Sequence, residues 1–241
     1  MRLLLPHPDP DPSLDALYAP PTGPVLRLGL VASVDGSAAL EGRSGGLSGP
    51  ADKQVFRLLR SLADVVLVGA GTARTEGYRP VRLDDGQQAA RLARGQRALP
   101  PVAVLSGGPG LPAGSPLLAA GAGTPLLTTG AGARAAPAGV EAVALGEDTV
   151  DLPAALAALR GRGLSHVLCE GGPALAGTLV AAGLVDELCL TTAPLLAGGD
   201  GPRLLVVAAE QLRPVRLAHL LHDQDVLLAR WTLGPPQDPP G

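Results

Sequence analysis

Aromatic residues are scarce in this chain of 241 residues, where one Phe, one Trp and two Tyr make up 2%. Any core must therefore be built from Leu, Val and Ala, and the apolar fraction of 46% is large enough for one. Lysine is almost absent, since Lys53 is the only one, and the net charge is −3. A chain with neither a basic face nor aromatic stacking surfaces lacks the usual means of binding nucleic acid. We expect no nucleic-acid partner.

Cysteines and long apolar runs are also few. The two cysteines, Cys169 and Cys189, both lie in apolar runs, which predicts buried free thiols in a reducing compartment rather than a disulfide. No apolar run approaches the roughly 20 residues of a membrane-spanning helix. The apolar residues 3–5 are followed at once by proline, unlike the core of a secretory signal. The sequence thus predicts a cytoplasmic protein with no membrane partner.

Proline and glycine, by contrast, are abundant, at 25 and 33 residues. Seven prolines fall within residues 1–24, and we expect an irregular N-terminal arm there. The proline-rich residues 234–241 predict a frayed C-terminal tail. Because a chain of this length suffices for one large domain, we place a single domain at residues 25–233. Two smaller domains are the less favoured alternative.

Apolar strands alternate with helices along this domain. Continuous apolar runs, with exits rich in Gly, Ser and Thr, predict strands at 25–32, 65–68, 101–105 and 167–169. This order predicts an α/β fold with a mostly parallel sheet whose strand ends carry the ligand. Residues 215–231 predict a closing antiparallel pair, which makes the sheet mixed.

The stretch LSHVLCEGGP, residues 164–173, is the centre of the pattern. Gly171 and Gly172 allow a tight turn after the strand, and Pro173 suits the first position of a helix. A strand, a glycine turn and a helix start together make an anion site, because free N–H groups and the helix dipole favour negative charge. Glu170 is an odd neighbour for an anion, so we expect it to serve the chemistry.

Several short motifs occur in a familiar order: SVDG, GRS, LLRS, VLVGAGTARTE, VLSGG, CEGGPALAG, GLVDEL and APLLAGGDGP. Together they resemble the reductase domain of the bacterial bifunctional riboflavin-biosynthesis deaminase/reductase and the related stand-alone pyrimidine reductases. The resemblance covers residues 25–231. It implies a dihydrofolate-reductase-like three-layer fold, NADPH as cofactor and a homodimer. The deaminase half is not expected, because no zinc-binding Cys/His/Glu signature precedes Val25.

The resemblance also implies a reaction, the reduction of 5-amino-6-(5-phosphoribosylamino)uracil to its ribityl form by hydride transfer. The substrate is thus a phosphorylated ribosylaminopyrimidine. Such chemistry requires a nicotinamide beside sugar C1, an acid that donates a proton, and a cationic site for the 5′-phosphate.

For the cofactor, the resemblance indicates residues at glycine-rich strand exits. They are Val31, Gly69, Gly71, Thr72, Ser106, Gly171, Gly172, Pro173, Ala174, Leu175, Ala176 and Gly177. Backbone N–H groups and hydroxyls at these exits suit a diphosphate. Any one exit is equally well an ordinary turn, but three in one chain favour a site.

For the substrate phosphate, the resemblance indicates Ser44, Arg60 and Arg82. Arginine offers forked donors and a permanent charge. The alternative for Arg60 is a cation in the last turn of a helix, favourable to the helix dipole alone. Arg79 is the alternative to Arg82, whose alignment needs a gap of one residue.

For the chemistry, we select the carboxyl groups of Glu170, Glu76 and Asp35. Burial at a strand end favours the protonated form of Glu170, which suits a proton donor or a clamp for a sugar hydroxyl. Its alternative is a solvated carboxylate that caps nearby amides. Glu76 stands where the family has the first Asp of an Asp-Asp-Pro turn, and here the turn departs from that pattern. Asp35 follows the first strand, at the position that the resemblance places near the nicotinamide, and a turn-forming role is about as well supported.

Two other functions stay open at this point. The first is a related reductase on the same scaffold that acts on a pterin or another small carbonyl compound, which the altered turn at Glu76 favours. The second is a nucleotide-binding module without turnover, against which the carboxyl groups of Glu76 and Glu170 argue. No spacing in the sequence predicts a metal site.

Overall fold

The structure, a computed structural model, describes residues 1–108, 110–119, 123–208 and 212–234. The chain forms two compact units, the first of Met1–Leu59 with Pro173–Gly241 and the second of Arg60–Gly172. The domain expected at residues 25–233 therefore divides into two units, and its independence as one folding domain stays a prediction. Of the tail expected at residues 234–241, all but Gly234 lies outside the described residues.

The helices and strands alternate as the apolar pattern predicts. In chain order they are β1 (Arg2–Leu5), α1 (Leu14–Tyr18), β2 (Val25–Ser33), α2 (Pro50–Leu62), β3 (Val65–Gly69), α3 (Ala70–Thr75), α4 (Asp85–Ala93), β4 (Val102–Ser106), α5 (Pro116–Ala119), β5 (Leu126–Thr128), α6 (Gly130–Arg134), β6 (Ala142–Ala144), α7 (Leu152–Arg160), β7 (His166–Cys169), α8 (Pro173–Ala181), β8 (Glu187–Ala193), β9 (Val215–Asp223) and β10 (Val226–Leu233). Among the described residues, no helix combines the length and apolar character that crossing a membrane requires.

The first unit contains a mixed sheet in the order β1-β9-β10-β8-β2. The predicted closing pair is confirmed, since β9 and β10 are antiparallel neighbours. β10 also pairs antiparallel with β8, whereas β8 pairs parallel with β2, so that Arg27 lies opposite Glu187. Leu26, Leu28 and Leu221 are almost fully buried, in agreement with a core built from aliphatic residues.

The expectation of an irregular arm at residues 1–24 is wrong. β1 pairs antiparallel with β9, and Leu3 lies opposite Leu221. α1 begins after Ser13, whose hydroxyl accepts a hydrogen bond from the amide of Ala16. The prolines stand between these elements and leave both free to form backbone hydrogen bonds, and the burial of Leu3 and Tyr18 stabilises them.

The second unit contains a parallel sheet in the order β7-β3-β4-β5-β6. Leu67 of β3 lies opposite Cys169 of β7, and Val68 lies opposite Val104 of β4. Because neighbouring parallel strands end at the same edge, the exits of β7, β3 and β4 share one edge of this sheet. The predicted parallel arrangement of these three strands is confirmed.

Both cysteines are free and buried, as predicted. Burial raises the pKa of the Cys169 thiol and of the Cys189 thiol to about 12. Both thiols are therefore protonated at neutral pH, and their contribution is that of small apolar side chains.

Glu187 lies at the centre of a buried ion network in the first unit. Its carboxylate, 5% exposed, accepts hydrogen bonds from Arg27 Nε at 2.7 Å and from Arg230. The same two arginines donate to the carbonyls of Tyr18 at 3.0 Å and Leu17 at 2.7 Å, at the end of α1. Burial by itself raises the pKa of Glu187, but the hydrogen bonds and charges of the two arginines outweigh it and lower the pKa.

We predict that Glu187→Gln destabilises the protein by about 3 kcal/mol or more, because two buried guanidinium groups lose their counter-charge. Since the pKa of Glu187 is lowered in the folded state, its contribution is present above the usual value of 4.5 and is lost as the pH falls through the folded-state value. Urea unfolding at several pH values measures both effects. Glu141→Gln is the control. Glu141 forms an ion pair with Arg162 at the surface, and such a pair should contribute less than about 1 kcal/mol to the free energy of unfolding. Equal losses in the two variants would contradict the account.

Candidate functional site

The exits of β7 and β3 are hydrogen-bonded to each other at one edge of the second unit's sheet. The amide of Glu170 donates to the carbonyl of Leu67 at 3.0 Å, and the amide of Gly69 donates to the carbonyl of Gly171 at 2.9 Å. The ladder between the strands thus continues past Cys169, and it fixes Glu170 directly beside the start of α3.

The Gly171–Gly172 turn requires glycine at both positions. Gly171 has a φ of +86°, a region that side chains disfavour. A Cβ atom at Gly172 would lie 2.4 Å from the hydroxyl oxygen of Thr72 on α3. The structure therefore brings together Gly171, Gly172, Gly69 and Thr72, four of the residues predicted to bind the cofactor.

Arg60, Tyr78 and Glu170 meet at the same edge, and we refer to them as the Glu170 cluster. Arg60 Nε donates to Glu170 Oε1 and Arg60 Nη2 donates to Glu170 Oε2, both at 2.7 Å. The Tyr78 hydroxyl donates to Glu170 Oε2, also at 2.7 Å. The guanidinium carbon lies 5.9 Å from the centre of the Tyr78 ring. The side chain of Glu170 is 1% exposed and that of Arg60 is 23% exposed.

The charges in the Glu170 cluster support one another. Burial by itself lowers the pKa of Arg60, but the hydrogen bonds and the charge of Glu170 outweigh it, and the net result is a raised pKa. Burial, with the charge of Glu170, raises the pKa of Tyr78 well above its usual value. At neutral pH, Arg60 is therefore a cation and Tyr78 is a neutral hydrogen-bond donor.

This arrangement differs from the one expected for Glu170. Its oxygens accept three hydrogen bonds and are shielded from solvent, so in this conformation they bind protein donors and present no surface to a sugar. The Arg60 side chain, in contrast, is 23% exposed. The sequence placed Arg60 at the phosphate and Glu170 at the chemistry, whereas the structure joins them as one group in which the carboxylate orients the cation.

Tyr78 is the member of the Glu170 cluster that the sequence did not identify. α3 ends at Thr75. The amide of the next residue, Glu76, donates to the carbonyl of Thr72 at 2.9 Å, and Gly77 follows with a φ of +65°. The amide of Tyr78 then bonds to the carbonyl of Ala73 at 2.9 Å. The turn flagged for its departure from the family pattern thus places an aromatic side chain on Glu170. Its rarity, as one of two tyrosines in the chain, is the signal that was available.

Asp35 follows β2 in the first unit, where it closes a loop. Its carboxylate accepts hydrogen bonds from the Ser33 hydroxyl at 2.5 Å and from the amides of Ala197 and Gly198 at 3.0 and 2.7 Å. These three bonds lower the pKa of the exposed Asp35 carboxyl group below its usual range. The turn-forming alternative thus has direct support, and a role beside the nicotinamide stays a prediction.

The other predicted residues of the first unit occupy ordinary positions in its elements. Val31 is half-buried in β2 opposite Thr191. Ser44 is half-buried, and its carbonyl accepts from the amide of Leu47. The predicted start of α8 at Pro173 is confirmed, and the helix contains the last five predicted cofactor residues, 173–177.

The remaining predicted residues belong to the second unit. Ser106 ends β4 and is buried, with its hydroxyl 3.0 Å from the carbonyl of Gly108. Arg82 and its alternative Arg79 are both exposed. The roles of Ser106 and Arg82 stay predictions.

Comparison with known proteins identifies one family. The family model described as the RibD C-terminal domain matches residues 24–228. The riboflavin biosynthesis protein RibD of Mycobacterium tuberculosis is 32% identical over 174 residues, which are 69% of this chain and 41% of that protein. The 2,5-diamino-6-ribosylamino-4(3H)-pyrimidinone 5′-phosphate reductase of Methanothermobacter thermautotrophicus is 39% identical over 66 residues, 27% of this chain and 31% of that protein.

A solved structure agrees over nearly the whole chain. A pyrimidine reductase-like protein of Corynebacterium diphtheriae superposes with a TM-score of 0.80 and 27% identity, covering 91% of this chain and 98% of that one. The expected α/β fold, with mostly parallel strands and an antiparallel C-terminal pair, is confirmed. The chain spans about two fifths of the length of the RibD relative that it matches. It belongs to the RibD C-terminal domain family, as the order of its motifs predicts.

Proposed function

We propose that this protein reduces 5-amino-6-(5-phosphoribosylamino)uracil to its ribityl form, with NADPH as hydride donor, as a step of riboflavin biosynthesis. Membership of the family and the names of the relatives support a reductase of a pyrimidine phosphate. The observation that carries the proposal is the Glu170 cluster, in which the buried Glu170 holds the partly exposed Arg60 side chain at the sheet edge where β7 and β3 end. A cytoplasmic homodimer is part of the proposal on the resemblance alone.

We assign the cofactor to the ends of β3 and β4 in the second unit. A Cβ atom at Gly71, Gly107 or Gly108 would meet no other heavy atom within 4 Å, so a ligand has room to approach the backbone there. The Thr72 hydroxyl lies at the same edge, against Gly172. We propose that this edge binds the dinucleotide. When bound, the reduced nicotinamide supplies the hydride.

Arg60 is the group that we propose for the substrate phosphate. Glu170 holds the guanidinium through Nε and Nη2, while 23% of the Arg60 side chain stays accessible. An arginine fixed in this way loses little further side-chain entropy when it binds an anion, and its charge suits a phosphate dianion. Glu170 then acts as a positioning residue, and Tyr78 completes its hydrogen bonds and shields it from water.

The reduction adds a hydride to sugar C1, breaks the bond from C1 to the ring oxygen, and adds a proton to that oxygen, while the nicotinamide is oxidised. The proton requires a carboxyl group that can be protonated. Asp35 is poorly suited, because its three hydrogen bonds lower its pKa. We propose Glu76, which is half-buried and stands two residues from Tyr78, as the proton donor.

We predict that Arg60→Ala raises the KM for the phosphorylated substrate by about tenfold or more, the scale of a lost contact between charged groups. The change also leaves Glu170 buried without its partner. The informative quantity is therefore the ratio of the KM for the phosphorylated substrate to the KM for the dephosphorylated substrate. The KM for the dephosphorylated substrate should change much less. Arg60→Lys is the matched variant, which keeps the charge but loses the fork. Steady-state NADPH oxidation measures the KM for both forms of the substrate in the wild type and in each variant.

Two outcomes of this assay would overturn the proposed function. Equal KM changes for the phosphorylated and the dephosphorylated substrate would show that Arg60 does not bind the phosphate. Faster NADPH oxidation with a pterin or another carbonyl compound than with the phosphorylated pyrimidine would assign a different substrate.

For the cofactor edge, we predict that Gly172→Ala weakens NADPH binding by about tenfold or more, because the new Cβ atom must displace the Thr72 hydroxyl or the turn. Fluorescence titration measures the Kd, and thermal unfolding measures the Tm. The double variant with Thr72→Ala removes the clash and should recover the Tm. Gly114→Ala is the control, since its Cβ atom would meet no heavy atom within 4 Å. An unchanged Kd in folded Gly172→Ala would rule out this edge as the dinucleotide site.

A further inference from the structure

Arg91 of α4 is a fully buried arginine that binds backbone carbonyl groups. Its side chain is 0% exposed. Nη1 donates to the carbonyls of Ser61 at 2.9 Å and Ala63 at 2.5 Å, with a longer contact of 3.4 Å to the carbonyl of Arg60. Nε donates to the carbonyl of Arg97 at 2.8 Å. The guanidinium therefore ties the end of α2 to the turn that follows α4.

The acceptors of Arg91 are the groups that a helix leaves unsatisfied. The last carbonyls of a helix lack intrahelical partners and carry the negative end of its dipole, so a cation there is favourable. Arg94 Nη2 also donates to the carbonyl of Ser61, at 2.8 Å, and Gln96 Nε2 donates to the carbonyl of Leu62 at 3.2 Å. Three side chains thus close the end of α2, and of these three it is Arg91 that contacts the carbonyl of Arg60.

The position of this cap gives it a functional consequence. Arg60 stands in the last turn of α2, and its side chain forms two 2.7 Å hydrogen bonds to Glu170. Charged hydrogen bonds of this kind depend strongly on geometry. A small displacement of the backbone at residues 60–63 would move the guanidinium away from both oxygens. Arg91 holds that backbone through the carbonyls of residues 60, 61 and 63.

We propose that Arg91 is a positioning residue, which fixes the last turn of α2 so that Arg60 presents its guanidinium to the substrate phosphate. The proposal rests on the proposed function for the role of that phosphate. A cap that served stability alone would be equally well made by the partly exposed Arg94 and Gln96. The burial of a second cation, Arg91, at 0% exposure is what the positioning role explains. Burial lowers the pKa of Arg91 to about 10, so the guanidinium is still charged at neutral pH.

The test compares Arg91→Met with Arg94→Met in two backgrounds, the wild type and Arg60→Ala. Arg94→Met is the matched control, because it removes a cation that shares the acceptor Ser61 but does not reach Arg60. We expect Arg91→Met to raise the KM for the phosphorylated substrate by about tenfold, with a smaller effect on kcat. In the Arg60→Ala background the same change should alter the KM by less than about twofold, because its effect passes through Arg60. Arg94→Met should alter the KM by less than about twofold in both backgrounds.

A crystal structure of Arg91→Met gives a readout besides activity. We expect at least one of the two Arg60–Glu170 hydrogen bonds to lengthen beyond about 3.5 Å, the limit of a real hydrogen bond. If Arg91→Met does not fold, Arg91→Lys is measured in its place. Lysine keeps the positive charge but lacks the several N–H donors of a guanidinium. We expect a KM increase of about threefold, which should again disappear in the Arg60→Ala background.

The outcomes separate this proposal from the proposed function. A tenfold KM effect of Arg91→Met that persists in the Arg60→Ala background, or no KM effect in either folded variant, would overturn the positioning role. If Arg60→Ala itself leaves the KM for the phosphorylated substrate unchanged, the proposed phosphate site fails first, and the positioning role fails with it.

Discussion

The ion pair between Arg60 and Glu170 is the constraint on which the candidate site depends. A carboxylate at 1% exposure is costly unless it is paired and hydrogen-bonded. Glu170 meets this requirement with two bonds from Arg60 and one from Tyr78. These bonds fix three segments of the second unit relative to one another: the end of β7, the last turn of α2 and the turn after α3. The positions of these segments therefore determine the orientation of the Arg60 guanidinium.

The backbone around the pair contains a support for each partner. On the Glu170 side, the ladder continues to Gly171, and Gly172 lies so close to Thr72 that a side chain has no space. On the Arg60 side, the buried Arg91 closes the helix end. Both supports act through main-chain groups, and such groups move little once they are hydrogen-bonded. This explains how a protein with few aromatic residues builds a rigid site from glycine, threonine and arginine.

Sequence patterns predicted the helices and strands better than they predicted the contacts between side chains that are distant in the sequence. The parallel apolar strands and the closing antiparallel pair followed from local periodicity, which a short window contains. β1 and α1 were missed because the neighbouring prolines dominate the pattern of residues 1–24. The pairing of Arg60 with Glu170 joins residues 110 positions apart, and no local pattern determines it. Tyr78 was missed because the conformation of the turn, with Gly77 at positive φ, decides where its ring lies.

The account assigns Glu170 to the orientation of Arg60, and Arg60 to the substrate phosphate. The most direct test is a crystal structure of the protein with the phosphorylated ribityl product. The account predicts a phosphate oxygen within about 3 Å of the Arg60 guanidinium, as in a charged hydrogen bond, while Glu170 keeps its bonds to Nε and Nη2. A structure in which Glu170 contacts the sugar and Arg60 has turned away from both would contradict it.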